Sequence, residues 1–573
     1  MHTILAYCRP YFLRIIGSLS VKFVGTIMDL FLPWILAHMI DNVVPMNNIP
    51  FIIMWGGAMV VCSFFAWSGN IVANRMAAAV ARDVTRSMRH DLFSKISHLS
   101  SSQIDKLTIP SLISRLSSDT YNIHRMVSMV QRMGIRAPIL LLGGILITLT
   151  LDATLTLVLL AVLPFALVIV LYISRKGVPL YTSLQGAVDT MVRVVRENAT
   201  GIRIIKALSK GDYEKERFFL ANNEVTRRER RAAVIMGVTN PAMFILINLG
   251  LVGVIIAGAH LVNLGQSQPG VILAFLSYFT IILNATLSIT RMFVMFSRGS
   301  ASGGRVQEVL DQPEDLQVQD LCPVEEDYHV VFDGVAFSYQ AGQAGEELLD
   351  GINFALRRGE SLGILGETGS GKSTIVQLLM RFYDVSSGSI RIGGEDIRGI
   401  SPDRFFPKFG VCFQRDVLFM DTIRENVDFG RDLTEEELRR AIRYAQAEDF
   451  VNSQAEGLDY DLSSRGTNLS GGQRQRLLIA RALAANPEIL ILDDSSSALD
   501  YRTDANLRRV FRESFQDTTT IIVAQRISSV MHADHILVLE QGRIIGQGNH
   551  DELLESCQLY QEINQSQMGR RVS

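Results

Sequence analysis

Gly366-Glu367-Thr368-Gly369-Ser370-Gly371-Lys372-Ser373-Thr374 decides how the second half of this chain folds. The stretch follows an apolar run, Ser361-Leu-Gly-Ile-Leu365, and leads into a helical one from Ile375, the strand, loop and helix context of a phosphate-binding loop. Its glycines let backbone amides turn inward on the phosphates, and the N-terminus of the following helix adds partial positive charge. Lys372 is placed to reach the β- and γ-phosphates of ATP, and Ser373 to give an oxygen to Mg2+. Asp493 ends the apolar run Ile489-Leu-Ile-Leu492 and is the natural second anchor for that ion, through a metal-bound water. Short β-rich runs such as Val330-Val-Phe332 and Thr520-Ile-Ile-Val-Ala524 alternate with helical ones. That alternation predicts an α/β domain on a buried, largely parallel sheet.

Working outward, this domain occupies 328–573. A polar stretch at 312–327, with Pro313, Pro323 and clustered acids, reads as a linker. The remainder, 1–311, is of another kind. The 573 residues are 48% hydrophobic with a formal net charge of -3, and mean hydropathy is positive, too apolar for an ordinary soluble enzyme. Long apolar runs stop near Phe296. Six spans are expected near Ile15–Ile40, Phe51–Val72, Ala137–Leu151, Leu155–Ile173, Ala242–Val262 and Val271–Met295. They exclude a soluble ATPase acting on nucleic acid. The N-terminus lacks a short apolar core with a cleavage site, so its first apolar run reads as a retained span. Cys8, Cys62, Cys322, Cys412 and Cys557 lie far apart without metal-like spacing and read as reduced thiols.

Short links after the first, third and fifth spans carry no Lys or Arg, whereas the two long links, Arg75 to Arg136 and Arg175 to Arg231, are basic. By the positive-inside rule the long links and both chain ends face the cytoplasm, which implies a multi-pass protein of the cell membrane. Helical apolar periodicity persists through the links, as in Met191-Val-Arg-Val-Val-Arg-Glu197, and predicts helices that run well beyond the bilayer.

Leu469-Ser470-Gly471-Gly472-Gln473 opens a helix and is similar to the signature of ATP-binding cassette (ABC) proteins. The order of elements resembles that family throughout: Tyr339 as the aromatic on the adenine, the phosphate loop, Gln414 in Val-Cys-Phe-Gln, the signature, Asp493, and Ser497-Ala-Leu-Asp500. Six spans ahead of such a domain resemble an exporter-type half-transporter. The implied fold is an all-α six-helix transmembrane domain with long cytoplasmic helical extensions, followed by an α/β P-loop ABC ATPase domain. Within the family two cassettes pack head to tail. Ser470, the Gly471 and Gly472 amides and Gln473 then close on an ATP held by the other chain's phosphate loop, with Mg2+ contacted by Ser373, Gln414 and Asp493. The physics agrees, because the signature is a donor surface without a pocket of its own.

Two catalytic positions depart from the family. Asp494 follows the Mg2+ anchor where Glu normally polarises the attacking water, and it is one methylene shorter. A displacement of about 1 Å can cost on the order of a hundredfold in rate. Gln525, in Val523-Ala-Gln-Arg526, stands where His normally contacts the γ-phosphate; an amide hydrogen-bonds but cannot take a proton as imidazole does. Ser464 is a third, weaker departure, where exporters often carry Glu. The pattern resembles the degenerate-site subunit of bacterial heterodimeric multidrug exporters, and it implies a partner half-transporter with Glu and His at these positions.

Short coupling helices are expected at the tips of the links, around Leu112–Asn122 and Leu208–Glu214. Within the spans, Asp29, Asn248, Asn284 and Arg291 need a reason, since charge at bilayer depth is costly. Asp29 can attract a cationic amphiphile or pair with Lys22, two turns away. Phe279, Phe293 and Phe296 lie on the sixth span. The expected cargo is an amphipathic small molecule or lipid moved outward. An importer on the exporter fold and a regulatory ATP-binding subunit are the alternatives, separated by transport direction and by the effect of deleting the chain.

Overall fold

The computed structural model describes residues 1–313, 316–339, 348–495 and 498–568. Ser497 and the linker's Glu314 lie outside them. The chain divides into two compact units, Met1–His98 with Ile109–Gln312, and Leu99–Thr108 with Pro313–Ser573.

The first unit is helical. Inside a bilayer every backbone amide must be satisfied within its own segment, and the apolar runs accordingly fold into long helices. Among the described residues, five helical stretches are long and apolar enough to cross a membrane: His2–Met46, Ile49–Ser97, Ile109–Leu151, Gly211–Asn263 and Pro269–Leu310. A sixth apolar stretch, Ala153–Ile169, is shorter and opens the helix Ala153–Thr200. Asp152 separates the third and fourth spans by capping, its carboxylate accepting from the Thr154 and Leu155 amides at 2.9 and 3.1 Å. The helix Ile49–Ser97 has 49 residues and is therefore about 74 Å long, against a hydrocarbon core of about 30 Å. Beyond its apolar part it buries Ala77, Ala81, Val84, Met88 and Leu92, spaced by three and four as for one helical face.

Leu30, Leu155, Phe275, Tyr278, Phe279 and Ile282 meet in the core of this unit. The buried Tyr278 hydroxyl donates to the Leu30 carbonyl at 2.6 Å, so its burial carries no unpaired group. Phe279 is thus a core residue, whereas Phe293 and Phe296 are exposed. Asn248 returns its amide to the Phe244 carbonyl one turn back. The pairing of Asp29 differs from the Lys22 contact open in the sequence. Arg136 reaches Asp29 at 3.1 Å and Asn70 at 3.3 Å, while Lys22 donates to Asn74; Arg136 is remote in sequence and unreadable by helical spacing.

The second unit holds ten strands among its described residues: β1 Val330–Phe337, β2 Leu349–Leu356, β3 Ser361–Gly366, β4 Ser387–Ile392, β5 Glu395–Asp396, β6 Phe409–Cys412, β7 Ile489–Asp493, β8 Thr519–Ala524, β9 His535–Glu540 and β10 Arg543–Gly548. One sheet runs β2-β1-β4-β5 and the other β10-β9-β3-β8-β7-β6. In the larger sheet β6, β7, β8, β3 and β9 are parallel. Every residue of β7 is buried, which explains its continuous apolar run. The parallel order sets the C-terminal ends of β3, β7 and β8 side by side, where crossover loops gather polar groups.

The link tip lies elsewhere than Leu112–Asn122. Arg115 and Asp119 are buried inside the first unit, with Arg115 donating to the Arg305 carbonyl and Asp119 accepting from Arg305 and Ser302. The segment that belongs to the second unit is Leu99–Thr108, whose helix Ser101–Leu107 starts with a Ser100/Gln103 capping box. Around Leu208, a turn with Ser209 at φ 50° joins Ile202–Ala207 to Gly211–Gly237.

Candidate ATP site

The phosphate loop leaves β3 at Gly366, where a Cβ would come within 2.4 Å of the Leu539 carbonyl oxygen. Only glycine fits beside that neighbouring strand. Gly371, at φ 100°, turns the chain into the helix Lys372–Leu379, so the first helical amides face the loop. Lys372 is buried and donates to the Gly366 and Glu367 carbonyls at 2.8 and 2.7 Å. Burial lowers its pKa, opposed by Asp493, Asp494 and Glu367. Anionic phosphate would supply the charge that this ammonium lacks. The Ser370 hydroxyl is buried with no hydrogen-bond partner among the described residues.

Lys372, Ser373, Gln414, Asp493, Asp494 and Gln525 surround a cavity of about 260 Å3, with Thr368, Gly369, Gly371 and Thr374 along its loop side. Asp493, at the end of β7, is buried and accepts from the Ser373 hydroxyl; burial raises its pKa against that hydrogen bond. Asp494 adopts φ 52°, and its amide bonds the Val523 carbonyl at 2.8 Å. This left-handed turn aims the side chain across the cavity, where Gln414 Nε2 lies 3.4 Å from its Oδ2.

Tyr339 flanks the loop. Its hydroxyl donates to Gln377 at 2.6 Å and lies 3.3 Å from the Thr374 hydroxyl, and the half-exposed ring leaves a face for a base. Ser470, Gly471, Gly472 and Gln473 are not among the cavity's lining residues. Ser470 caps the helix Gly471–Ala484, its hydroxyl accepting from the Gln473 amide at 3.2 Å while the Gln473 side chain accepts from the Ser470 amide at 2.9 Å. The cap holds the Gln473 side chain against its own backbone. The helix N-terminus is preorganised, and nothing in its own chain's phosphate loop closes over it.

Two contacts escaped the sequence. Tyr383 packs edge-on against Tyr339, ring centroids 5.1 Å apart, and donates to Asp105 at 2.6 Å. That bond ties the helix Ser101–Leu107 to the aromatic flank of the loop; Ser100-x-x-Gln103 was the local signal for the helix. Gln567, on the C-terminal helix Gln558–Met568, holds the backbone at Gln525, and no local pattern points to it.

A helical membrane region joined to a parallel-sheet ATPase with this loop and cavity defines an ATP-driven membrane transporter. Residues 15–286 match the ABC transporter transmembrane region family and residues 349–497 the ABC transporter family. The chain is 33% identical over 574 residues to the Uncharacterized ABC transporter ATP-binding protein YfiB of Bacillus subtilis (strain 168), covering 100% of both chains. It is 30% identical over 575 residues to the Putative ABC transporter ATP-binding protein exp8 of Streptococcus pneumoniae serotype 4, covering 99% of this chain and 97% of that one. A solved bacterial Atm1-family ABC exporter with ATP bound shares the fold, with TM-score 0.80 at 24% identity over 98% of this chain and 99% of the other. The chain belongs to the ABC transporter family. It is a half-transporter, one membrane region fused to one ATPase domain on the fold of that solved exporter, and a multi-pass membrane protein that binds and hydrolyses ATP.

Proposed function

We propose that this chain is the weak-site half of a heterodimeric exporter of amphipathic drugs or lipids. The observation that carries the reading is the cavity's wall: the group beside Asp493 is the short carboxylate of Asp494, and Gln525 lines the cavity where imidazole is usual. In such a pair this chain's ATP is held by the phosphate loop and Tyr339, but its water is poorly placed and its γ-phosphate contact cannot exchange a proton. The partner supplies Glu and His at these positions. Ser470 and the Gly471 and Gly472 amides, standing apart from their own loop, complete the partner's site. Two ATP molecules then hold the cassettes together, and hydrolysis at the partner's site releases them.

Oxygen donors from Ser373, Gln414 and Asp493 suit a hard cation, and their grouping fits Mg2+, which when bound offsets phosphate charge. Residues 1–311 form the membrane part, 312–327 the linker and 328–573 the cassette, with cassette and both termini in the cytoplasm.

The test is hydrolysis by the chain alone and by the chain with its partner half-transporter. Slow turnover alone, and vanadate trapping concentrated at the partner's phosphate loop in the pair, are the expected results. Brisk turnover by this chain paired with itself refutes the reading.

A further inference from the structure

We propose that the membrane unit carries a binding site for an amphiphile with an anionic head, centred on Arg136 at the inner-leaflet end of its helices. The proposal rests on the exporter reading above and names the class of cargo.

A cavity of about 540 Å3 opens between the helices that carry Asp29, Arg136 and Asn284. Its depth follows from helical rise. With the long links in the cytoplasm, as proposed above, the helix Ile49–Ser97 begins at the outer end, and Asn70, which donates to Asp29 at 3.3 Å, lies 21 residues along it, about 31 Å inward. A hydrocarbon core is about 30 Å thick; Arg136 lies about 22 Å from the outer end of its helix at Leu151, so the charged cluster spans the inner third of the bilayer up to the cytoplasmic headgroups. Asn284 and Ser288 line the cavity about 22 and 28 Å from the outer start of their helix at Pro269. The apolar wall lies outward of the cluster: Leu32 is about one turn beyond Asp29, and Leu140 about one turn beyond Arg136. A polar inner end with an apolar wall toward mid-bilayer has the polarity of an inner-leaflet amphiphile, head inward and tail outward.

The charges select the head. Asp29 is the cavity's one acidic lining residue, and its carboxylate is already engaged by Arg136 at 3.1 Å and by Asn70. Lys22, buried and bonded to Asn74 at 3.0 Å, interacts electrostatically with Asp29, Arg136 and Arg132. Arg136 and the buried Lys22 therefore stand by a single carboxylate, with the exposed Arg132 adding positive charge nearby, an imbalance that a phosphate or carboxylate head corrects and a cationic head worsens. Arg136 is also incompletely used, since its Nε is buried with no partner and the Asn70 Oδ1 beside it is likewise unpaired. A planar guanidinium held by one oxygen has a fork left for another.

The experiment measures binding of an acyl-fluorescent lysophosphatidylglycerol to the full chain in neutral detergent, by anisotropy, without nucleotide. Saturable binding is expected, displaced by dodecyl phosphate but not by equal inorganic phosphate or by dodecyltrimethylammonium. Arg136→Ala weakens it about tenfold, as for loss of a charge-assisted hydrogen bond; Arg136→Lys restores most of it, and Asp29→Asn, which frees the guanidinium, binds at least as tightly as wild type. Equal displacement by inorganic phosphate makes this a free-anion site and overturns the amphiphile. Displacement by the cationic competitor, weaker binding in Asp29→Asn, undiminished binding in Arg136→Ala, or failure of Arg136→Lys to rescue overturns the proposal outright. Neither ATP nor the partner chain enters this measurement, so its failure leaves the weak-site reading intact, and hydrolysis assays decide that reading separately.

Discussion

Gln567 grips the backbone on both sides of the turn that presents Gln525: its Nε2 donates to the Gln525 carbonyl at 2.9 Å, and its Oε1 accepts from the Ile527 amide at 2.9 Å. The C-terminal helix thereby sets the edge of the ATP cavity. Each bond is worth about 1 kcal/mol net. Gln567→Ala is expected to speed hydrogen exchange at the Ile527 amide about fivefold or more, with nucleotide affinity changed less than hydrolysis. Unchanged exchange at Ile527 would show that the turn holds itself.

Asp494→Glu combined with Gln525→His supplies the missing methylene and the imidazole together. Hydrolysis by the assembled pair is expected to rise, and vanadate trapping to become equal at the two phosphate loops. Since about 1 Å of placement is worth up to about a hundredfold, a rise of about tenfold at this site is a fair expectation. No change in rate or symmetry counts against the weak-site reading.

Ser470→Ala removes the cap of the helix Gly471–Ala484 and, on the proposed pairing, a donor for the partner's ATP. Caps of this kind contribute about 1 kcal/mol, so the chain is expected to fold and melt slightly earlier. Hydrolysis at the partner's phosphate loop should fall about tenfold, with a smaller change at Lys372's own site. Site-resolved trapping of a photoreactive ATP analogue separates the two.

Tyr383→Phe deletes the 2.6 Å bond to Asp105 and leaves the ring on Tyr339. Nucleotide affinity is expected to persist, while transport per ATP consumed falls severalfold in proteoliposomes. The bond also carries a pH signature. Burial first, then the Asp105 hydrogen bond, holds the Tyr383 phenol protonated above its ordinary range. A raised folded-state pKa means that the contact's stabilisation is fully present below the unfolded value of about 10 and is lost only as pH climbs past it. Coupling should therefore be flat from neutrality to about pH 9; a decline in the neutral range traceable to Tyr383 contradicts this contact.

Local patterns were legible because they are set by neighbours in the chain. The loop at Gly366–Thr374, the buried strand Ile489–Asp493 and the cap at Ser470 each follow from residues within a few positions of one another. Leu112–Asn122 misled because a polar helical stretch between two spans looks like a tip, yet Asp119 is buried on Arg305 and Ser302, 186 and 183 residues away. The Ser100/Gln103 box marked the better helix, but not its membership of the second unit.

From the sequence alone came the membrane spans, the parallel ATPase sheet, the ATP-binding chemistry and the two altered positions, since hydropathy, periodicity and short motifs are local quantities. Tertiary packing decided which distant groups meet: Arg136 rather than Lys22 on Asp29, Asp105 on Tyr383, and Gln567 on Gln525. Such pairings are chosen by the geometry of close-packed helices and strands, where a carboxylate takes the donor that the fold brings within 3 Å or so, whatever its place in the chain.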